Sequence, residues 1–579
     1  MKAIVIVLLM LGVSTAAVAA DYTVAVTSGD DVGAAVEEAI ALAGGLEGVV
    51  ARGDTVLLKP NAVIASVPKT GENTSPEVLG AVVRAARAAG AARVIIAEAS
   101  GGAHTHNAYQ TNRYYRMAAE VGADLVDLNY LPSCRKTIDS PFGHSEYFMP
   151  NLLFEVDAVI DVPVLKSHFW AGITCCCKNL VGVIPSNVYY LPKWRIHDYP
   201  ISDFIADINR IVRPDFCVAD ATRILAGRGP AREFGGFPYH MGVVLAGRNA
   251  VAVDRVGCSL LGIPEADAAH LTLLAQVGAG PASISEVKVV GEPIEKHAID
   301  TYSIETREAL APTGDLMSEV HGAEVPAGTL RVWWLGQAGF VCKTHVGTTF
   351  AVDPYLSNSV NDAEGMFRLE RLPLAPSDLT VDYCFLTHDH LDHTDPETVR
   401  AMAANTDAVF VGPPSVAEHV TGELGVTALR MVTLARGGER RFADDLRAKA
   451  VHAEHTDDSV GFIFEAGGVS FYVSGDSLYC EELEGLAGLQ PDAMAVCING
   501  RAGNMSCSDA ARLTGLVRPG LVIPMHHGMF AENTADPHEL ADELRALGIS
   551  GRVEVMEFKG SLDIAPRVGL WQRIRRIFG

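Results

Sequence analysis

Metal-binding side chains are concentrated in four short stretches of the C-terminal half of this sequence. Imidazoles and carboxylates at this density are typical of zinc, manganese or iron sites, and packing alone does not explain them. They therefore predict a two-metal centre that activates water for hydrolysis. The stretches are residues 387–393, with His388, His390, Asp392 and His393; His455; residues 474–476, with Asp476; and residues 524–528, with His526.

The first stretch follows an apolar run that predicts a buried strand over residues 381–387. Ligand sites of open α/β sheets lie at the carboxyl ends of strands. Side chains two residues apart in an extended segment point the same way, so His388 and His390 can hold one ion together. Asp392 and His393 then fall on a turn before a helix, where they can face a second ion.

Two residues of this region receive other interpretations. Asp389 points away from His388 and His390 in an extended segment, and we expect it to orient an imidazole. His527 directly follows His526, and we expect it to be a neighbour of the site rather than a ligand.

Five stretches together resemble the metallo-β-lactamase superfamily, with the closest likeness to its ascorbate-6-phosphate lactonase (UlaG-like) branch. The resemblance covers about 235 residues and implies a four-layer αβ/βα sandwich with the site at one edge of paired sheets. The stretches are Leu335-Gly336-Gln337-Ala338-Gly339, Val352-Asp353-Pro354-Tyr355, residues 388–393, Ser474-Gly475-Asp476 and Ile523-Pro524-Met525-His526, and Asn499-Gly500-Arg501 adds to the likeness to the branch.

The resemblance also implies how the ligands are divided. His452 and His455 compete for one position, and Thr456 after His455 favours His455. One ion is then held by His388, His390 and His455, the other by Asp392, His393 and His526, and Asp476 bridges the two.

Two divalent ions about 3.5–4 Å apart can share a water and supply hydroxide near neutral pH. The expected cofactors are therefore two zinc or manganese ions, with Asp392, Asp476 and His526 as the catalytic ligands. The expected substrate is a small anionic molecule or ester, cleaved as a lactone, another ester or a phosphodiester. The alternative is a binding or sensing protein in which the metal is structural and nothing is turned over.

The N-terminal half alternates apolar runs of strand length with helical stretches, which predicts a mainly parallel α/β domain. Ser75, Pro76 and Glu77 are suited to begin one of its helices. The half resembles the DUF362 family over about 250 residues. The stretches that carry this resemblance are Leu57-Leu58-Lys59-Pro60-Asn61, Thr74-Ser75-Pro76, Val164-Leu165-Lys166-Ser167-His168, Lys178-Asn179-Leu180-Val181-Gly182, Asp220, Gly227-Arg228-Gly229-Pro230 and Ala252-Val253-Asp254.

A second candidate site comes from polar residues that follow or interrupt apolar runs of this half. Buried charge is costly without a partner, so lysines and amides gathered at strand ends predict a site for phosphate or carboxylate. The alternative is that lysines and aspartates form internal ion pairs. The residues are Lys59, Asn61, Lys166, His168, Lys178, Asn179, Asp220 and Asp254.

Three consecutive cysteines, Cys175–Cys177, precede Lys178. In an extended strand Cys175 and Cys177 face one side and Cys176 the other, which disfavours three ligands to one ion. They are therefore interpreted as small core residues, with a redox or metal role as the alternative.

The sequence predicts the following organisation: a signal peptide over 1–20, the first domain over 21–298, a linker over 299–327, the second domain over 328–565, and a basic amphipathic tail over 566–579. A positive start, an apolar run and a small-residue end predict export to the periplasm, with an uncleaved membrane anchor as the alternative. Membrane contact is expected only through this segment or the tail. The net charge of −24 argues against a general nucleic-acid binder.

Overall fold

The computed structural model describes residues 22–190, 193, 196, 200–314 and 316–567. The predicted signal peptide and all but the first two residues of the predicted tail lie outside the described residues. Within the described part of the chain, no helix combines the length and the apolar character needed to cross a bilayer.

The described residues divide into two units. The first contains the residues up to Ile224, together with Arg228–Pro230 and Met241–Thr301. The second contains Leu225–Gly227, Ala231–His240 and the described residues from Tyr302 onward. The boundary at Thr301 lies three residues beyond the predicted end of the first domain.

The first unit is built on a mainly parallel sheet whose strands run in the order β12-β1-β11-β10-β7-β2-β3-β4, with β8 joined to β10 and β9 to β8. The prediction of an α/β fold is confirmed. Two further strands, β5 and β6, form a separate antiparallel pair. The strands of the unit are β1 (Thr23–Ser28), β2 (Thr55–Pro60), β3 (Arg93–Glu98), β4 (Asp124–Asp127), β5 (Ser133–Thr137), β6 (Glu146–Pro150), β7 (Ala158–Val162), β8 (Val164–His168), β9 (Gly172–Thr174), β10 (Phe216–Gly227), β11 (Gly236–Gly247) and β12 (Lys288–Gly291).

Helices cover this sheet and bury its apolar side chains. Ser75 caps α2 by accepting from the backbone N–H of Val78 at 3.2 Å, and Pro76 occupies the first helical position, as the sequence predicts. The helices are α1 (Val32–Leu42), α2 (Pro76–Ala89), α3 (Thr105–Thr111), α4 (Tyr114–Val121), α5 (Cys176–Asn179), α6 (Ser186–Tyr189), α7 (Ile201–Ile211), α8 (Ala250–Leu261) and α9 (Ala269–Gln276).

The second unit contains two seven-stranded sheets, ordered β18-β17-β16-β15-β14-β13-β26 and β19-β20-β21-β22-β23-β24-β25. Their strands are β13 (Leu330–Gly336), β14 (Gly339–Thr344), β15 (Thr349–Val352), β16 (Tyr383–Phe385), β17 (Val409–Gly412), β18 (Met431–Thr433), β19 (Glu439–Ala443), β20 (Leu446–His452), β21 (Val460–Ala466), β22 (Val469–Val473), β23 (Ala493–Cys497), β24 (Leu521–Met525), β25 (Arg552–Val553) and β26 (Ser561–Ile564).

The two sheets pack face to face through aromatic side chains. The ring of Phe464 lies 4.8 Å from that of Phe350 and 4.9 Å from that of Phe385, measured between centroids. Helices cover the outer faces, which gives the predicted four-layer αβ/βα sandwich. The helices of this unit are α10 (Thr306–Ala309), α11 (Leu316–Gly322), α12 (Ser359–Glu364), α13 (Pro396–Asn405), α14 (Pro414–Gly422), α15 (Cys507–Val517) and α16 (Glu539–Ala546).

Most of the segment predicted as a linker, 299–327, is instead part of the second unit, which begins again at Tyr302, and residues 299–301 belong to the first unit. The segment contains α10 and α11, and α11 buries Leu316, Met317 and Val320 against the outer face of the first sheet. The scattered charges and prolines predict a linker, but the segment also contains a short helix with one apolar face. Burial of that face offsets the conformational entropy lost when the segment becomes ordered.

The packing of α11 is testable by truncating Met317, which is 4% exposed. Met317→Ala is expected to lower the free energy of unfolding of the second unit by roughly 2 kcal/mol or more, because it leaves a cavity in the core. Urea denaturation followed by tryptophan fluorescence measures this. Glu324→Ala, at an exposed position of the same segment, is the control. Equal stability of the two variants would mean that this segment is a solvated linker.

Candidate metal centre

All seven predicted metal ligands lie on loops that leave the carboxyl ends of strands in the second unit. The segment 388–393 follows β16, and His455 follows β20. Asp476 follows β22 and His526 follows β24. Because both sheets of the sandwich end at the same edge here, residues up to 138 positions apart in the sequence, from His388 to His526, are brought together.

Three imidazoles form the first ligand group. The ligand nitrogens of His388, His390 and His455 lie within 4.8 Å of one another. His455 Nε2 is 3.1 Å from His390 Nδ1, and the ring centroids of His388 and His390 are 4.6 Å apart. His388 is buried, whereas His390 is exposed. The group therefore lies where the protein interior meets solvent.

The second ligand group consists of Asp392, His393 and His526, whose ligand atoms also lie within 4.8 Å of one another. Asp392 Oδ2 is 3.4 Å from His526 Nε2 and 3.7 Å from His393 Nε2. The two imidazole rings stack at 5.6 Å. His526 has a left-handed backbone, with φ 61°, a conformation that side chains with a Cβ adopt at a cost.

Asp476 lies between the two groups. Its Oδ1 is 3.3 Å from His393 Nε2, and its Oδ2 is 3.1 Å from His526 Nε2 and 3.8 Å from His455 Nε2. One carboxylate thus faces imidazoles of both sets. This position is compatible with a carboxylate shared by two ions.

The electrostatics of the cluster favour a cation. Burial lowers the pKa of His388 well below its usual range, so this imidazole is neutral and able to bind metal. Burial alone would also lower the pKa values of His393 and His526, but the carboxylates of Asp476 and Asp392 outweigh it. They raise the pKa of His526 to about 9 and that of His393 well above its usual range. Two carboxylates here attract positive charge, which protons or divalent ions can supply.

Asp353 orients the histidines, a role that the sequence analysis did not assign. It follows β15, and its Oδ2 is 2.8 Å from His393 Nδ1. The same carboxylate accepts from the backbone N–H and the hydroxyl of Thr387, and that hydroxyl lies 3.0 Å from His388 Nδ1. With both Nδ1 atoms held in this way, both Nε2 atoms face the centre. Asp389, predicted for this role, is half-buried and makes no such contact among the described residues.

Two side-chain amides hold the carboxylates. Gln337 Nε2 donates to Asp392 Oδ2 at 2.8 Å, and Asn504 Nδ2 donates to Asp476 Oδ2 at 2.7 Å. Gln337 and Asn504 are both buried. The Leu335–Gly339 stretch already signalled the first of these residues, but no feature of the sequence singled out Asn504.

The structure places His455, the histidine that the sequence favours over His452, beside His388 and His390. His452 ends β20 and lies 3.0 Å from Glu454, away from the cluster, whereas His455 joins it. His527 stacks on Trp334, with ring centroids 4.7 Å apart. It is not a member of either of the two ligand groups described above.

The residues present fit divalent metal ions. Nε2 of His388 is buried and has no hydrogen-bond partner in the described part of the chain. A buried nitrogen acceptor that faces other imidazoles and a carboxylate is costly unless a cation or a donor binds it. The mixed set of imidazoles and carboxylates suits Zn²⁺ or Mn²⁺.

The first unit brings together most of its predicted polar residues, but it pairs several of them internally. Lys59 Nζ forms a fully buried ion pair with Glu98, at 2.9 Å. Asp220 accepts from the backbone of Ser75 and Thr222, and Asp254 accepts from the backbone of Cys176 and Cys177. The alternative interpretation is that lysines pair with these aspartates. Asp220 and Asp254 accept hydrogen bonds from backbone N–H groups instead.

Two lysines remain without a carboxylate at hydrogen-bonding distance among the described residues. Lys166 Nζ donates to the backbone oxygen of Glu72 at 2.5 Å and to Asn61 Oδ1 at 3.3 Å, and Asn61 in turn bonds Asn179 at 3.0 Å. Burial lowers the pKa of Lys166 to about 7 and that of Lys178 to about 8.

His168, the remaining residue of this predicted site, has a local role. Its Nδ1 lies 3.2 Å from the backbone N of Trp170 and 3.3 Å from that of Ala171, so it caps the turn after β8.

Comparisons with known proteins agree with the two-unit architecture. Residues 56–259 match the family described as a domain of unknown function (DUF362), and residues 348–527 match a beta-lactamase superfamily domain. A UPF0173 metal-dependent hydrolase of Anaeromyxobacter sp. (strain K) is 30% identical over 259 residues, which cover 41% of this chain and 87% of that protein. The chain belongs to the UPF0173 metal-dependent hydrolase family.

Other members of the UPF0173 family are similarly related. The UPF0173 metal-dependent hydrolase of Hyperthermus butylicus is 28% identical over 232 residues and matches over 96% of its length. Among solved structures, the metallo hydrolase Igni18 of Ignicoccus hospitalis is 23% identical, with a TM-score of 0.34, and the match covers 41% of this chain and 98% of that one.

The role of Asp353 in this UPF0173 hydrolase is testable with an isosteric substitution. Asp353→Asn removes the charge that fixes His393 and is expected to weaken metal affinity by about 10–100-fold. Competition with a chelator of known affinity measures the change. Asp389→Asn is the matched control, because its carboxylate does not contact the histidines. An unchanged affinity in Asp353→Asn would refute the orienting role.

Proposed function

We propose that the second unit hydrolyses a small anionic or ester substrate, a lactone, another ester or a phosphodiester, with two divalent ions, Zn²⁺ or Mn²⁺. The observation that carries the proposal is the position of Asp476, with one oxygen 3.3 Å from His393 and the other 3.1 Å from His526 and 3.8 Å from His455. A structural zinc site is a closed tetrahedron and has no use for a shared carboxylate.

The ligands divide as their distances suggest: His388, His390 and His455 for one ion, Asp392, His393 and His526 for the other, and Asp476 for both. When bound, such a pair of ions lowers the pKa of water to near neutrality and stabilises negative charge on the substrate oxygen.

Residues around the proposed metal ions hold the ligands in position and leave one side open to the substrate. Gln337 and Asn504 hold the carboxylates of Asp392 and Asp476, so neither has to reorganise during the reaction. His390 is exposed while His388 and His393 are buried, so we place substrate entry on the side of His390.

A lactone is the first substrate class to examine. The motifs at 335–339, 388–393 and 499–501 resemble the ascorbate-6-phosphate lactonase (UlaG-like) branch, which supports a ring ester in an anionic molecule. Phosphodiesters remain the second class, because the same two-metal chemistry acts on phosphorus.

The hydrolase proposal is tested with His390→Ala and Asp476→Ala. Each is expected to reduce bound metal from about two ions per chain and to reduce turnover of a lactone panel or bis-p-nitrophenyl phosphate by at least about a hundredfold. Elemental analysis and steady-state kinetics are the measurements.

His452→Ala is the matched control, because this histidine lies on the same strand end but outside the cluster. Metal without turnover in the native protein, on every substrate tested, would favour the alternative of a binding or sensing protein. Turnover unchanged in Asp476→Ala would overturn the proposed site.

We also propose that the first unit binds an anion through Lys166 and Lys178. The support is that Lys59 is neutralised by Glu98, whereas Lys178 is half-buried and its side chain makes no hydrogen bond within the described residues. Lys178 lies close enough to Lys59 and Lys166 for their charges to repel. A phosphate or carboxylate would relieve that repulsion.

Anion binding by these lysines should depend on pH. Burial lowers their pKa values to about 7 and about 8, so binding should be strongest well below pH 7 and should be lost as the pH rises through these two values. Sulfate is the probe, since its charge stays constant over this range, and calorimetry is the measurement. Lys178→Gln is expected to weaken sulfate binding about tenfold, and Lys449→Gln, at an exposed position, is the control. Sulfate affinity that is equal in the two variants would contradict the site.

A further inference from the structure

A second cluster of side chains of the types that bind metals lies in the first unit, and it consists of thiols and carboxylates, whereas the cluster of the second unit consists of histidines and carboxylates. Lys59, Asp161 and Cys217 are in register on three adjacent parallel strands, β2, β7 and β10. Residues in register on parallel strands point to the same face, with the strands about 4.8 Å apart. A carboxylate and a thiol are therefore neighbours on one face of the sheet.

The cysteine triplet meets this face, and its backbone is not the extended strand that the sequence analysis assumed. Cys175 is extended, with φ −152° and ψ −145°, but α5 begins at Cys176. The change of conformation removes the strict alternation of sides. As a result, the sulfurs of Cys175 and Cys176 lie 3.9 Å apart.

The donor atoms converge around Cys176. Its sulfur lies within 4.8 Å of ligand atoms of Asp161 and Cys217 in one group, and of Cys175 and Asp254 in another. Zinc–sulfur bonds of about 2.3 Å in a tetrahedron place two sulfurs about 3.8 Å apart. The observed separation between Cys175 and Cys176 is close to that edge.

Asp161 supplies a carboxylate oxygen that could bind a metal ion. Asn179 Nδ2 donates to its Oδ1 at 2.7 Å, but its Oδ2 is buried with no hydrogen-bond partner among the described residues. Lys59 is the neighbour of Asp161 on the adjacent strand, but its ammonium group forms an ion pair with Glu98. A buried carboxylate oxygen without a donor is costly, and a cation is what it lacks.

We propose that Cys175, Cys176, Cys217 and Asp161 bind one Zn²⁺ as a structural site of the first unit. Three thiolates and one carboxylate leave a net charge of −2 on the bound complex, and the ammonium of Lys59 lies close enough to Asp161 to stabilise negative charge there. The thiol and carboxyl protons are released when the ion binds. Asp254 holds the backbone N–H groups of Cys176 and Cys177 at 2.7 and 3.0 Å and so fixes the turn that gathers the thiols.

The test uses the full chain with His390→Ala and Asp476→Ala, which disables the histidine cluster. About one zinc ion per chain is expected to remain bound. Replacement of that zinc by Co²⁺ is expected to produce the near-ultraviolet charge-transfer absorption of thiolate–cobalt bonds, with the intensity of three thiolates. The ligands proposed for the other site are histidine and aspartate only, so that signal cannot come from it.

Three further variants in the same background decide the outcome. Cys176→Ala is expected to abolish both the zinc and the absorption. Asp161→Asn is expected to keep the absorption and weaken affinity at least tenfold. Cys342→Ala, a buried free thiol of the second unit, is expected to change neither.

If Cys176→Ala does not fold, the parent protein still decides the question. A native circular dichroism spectrum with no zinc retained, and no charge-transfer absorption after Co²⁺ is added, would overturn the proposal. Because the parent lacks a working histidine cluster, this result would leave the proposed hydrolase unaffected.

Discussion

The metal centre depends on one buried carboxylate, that of Asp353. It joins the end of β15 to the end of β16 through Thr387, and it fixes both His388 and His393 with their Nε2 atoms facing inward. Its own backbone is left-handed, with φ 42°, a strained conformation that the three hydrogen bonds to its oxygens stabilise. The sandwich supplies the strand ends, but this carboxylate decides which way the imidazoles point.

Both units contain buried polar side chains at the ends of apolar strands. A polar group that ends an apolar strand has lost water and needs a partner inside the protein. In the first unit Lys59 pairs with Glu98, and in the second Asp353, directly after β15, accepts from Thr387 and contacts His393. Nε2 of His388 and Oδ2 of Asp161 are buried and have no hydrogen-bond partner in the described part of the chain, which is the observation on which both proposed metal sites draw.

The sequence predicts which side chains of the second unit come together, because spacing within residues 388–393 is a local property and the remaining motifs are distinctive. It does not predict Asn504, since that residue reaches Asp476 only through the folded loop before α15. In the first unit, Glu98 and Asp161 carry the same signal as Lys59, a charge within or at the end of an apolar run. Their partners depend on which strands become neighbours, and that order is a property of the whole sheet.

Most residues around the turn between β10 and β11, namely 225–227 and 231–240, belong to the second unit although they lie far before its main part in the sequence. This arrangement has a consequence for how the gene could be divided. The chain passes from one unit to the other after residues 224, 227, 230, 240 and 301, and not at a single joint. Two genes joined end to end would produce only the last of these passages. A split of the gene at codon 301 would therefore deprive the second unit of Phe237, whose ring packs 5.6 Å from that of Phe367. A recombination that replaced only the residues after 301 would therefore leave residues 225–227 and 231–240 of the second unit behind.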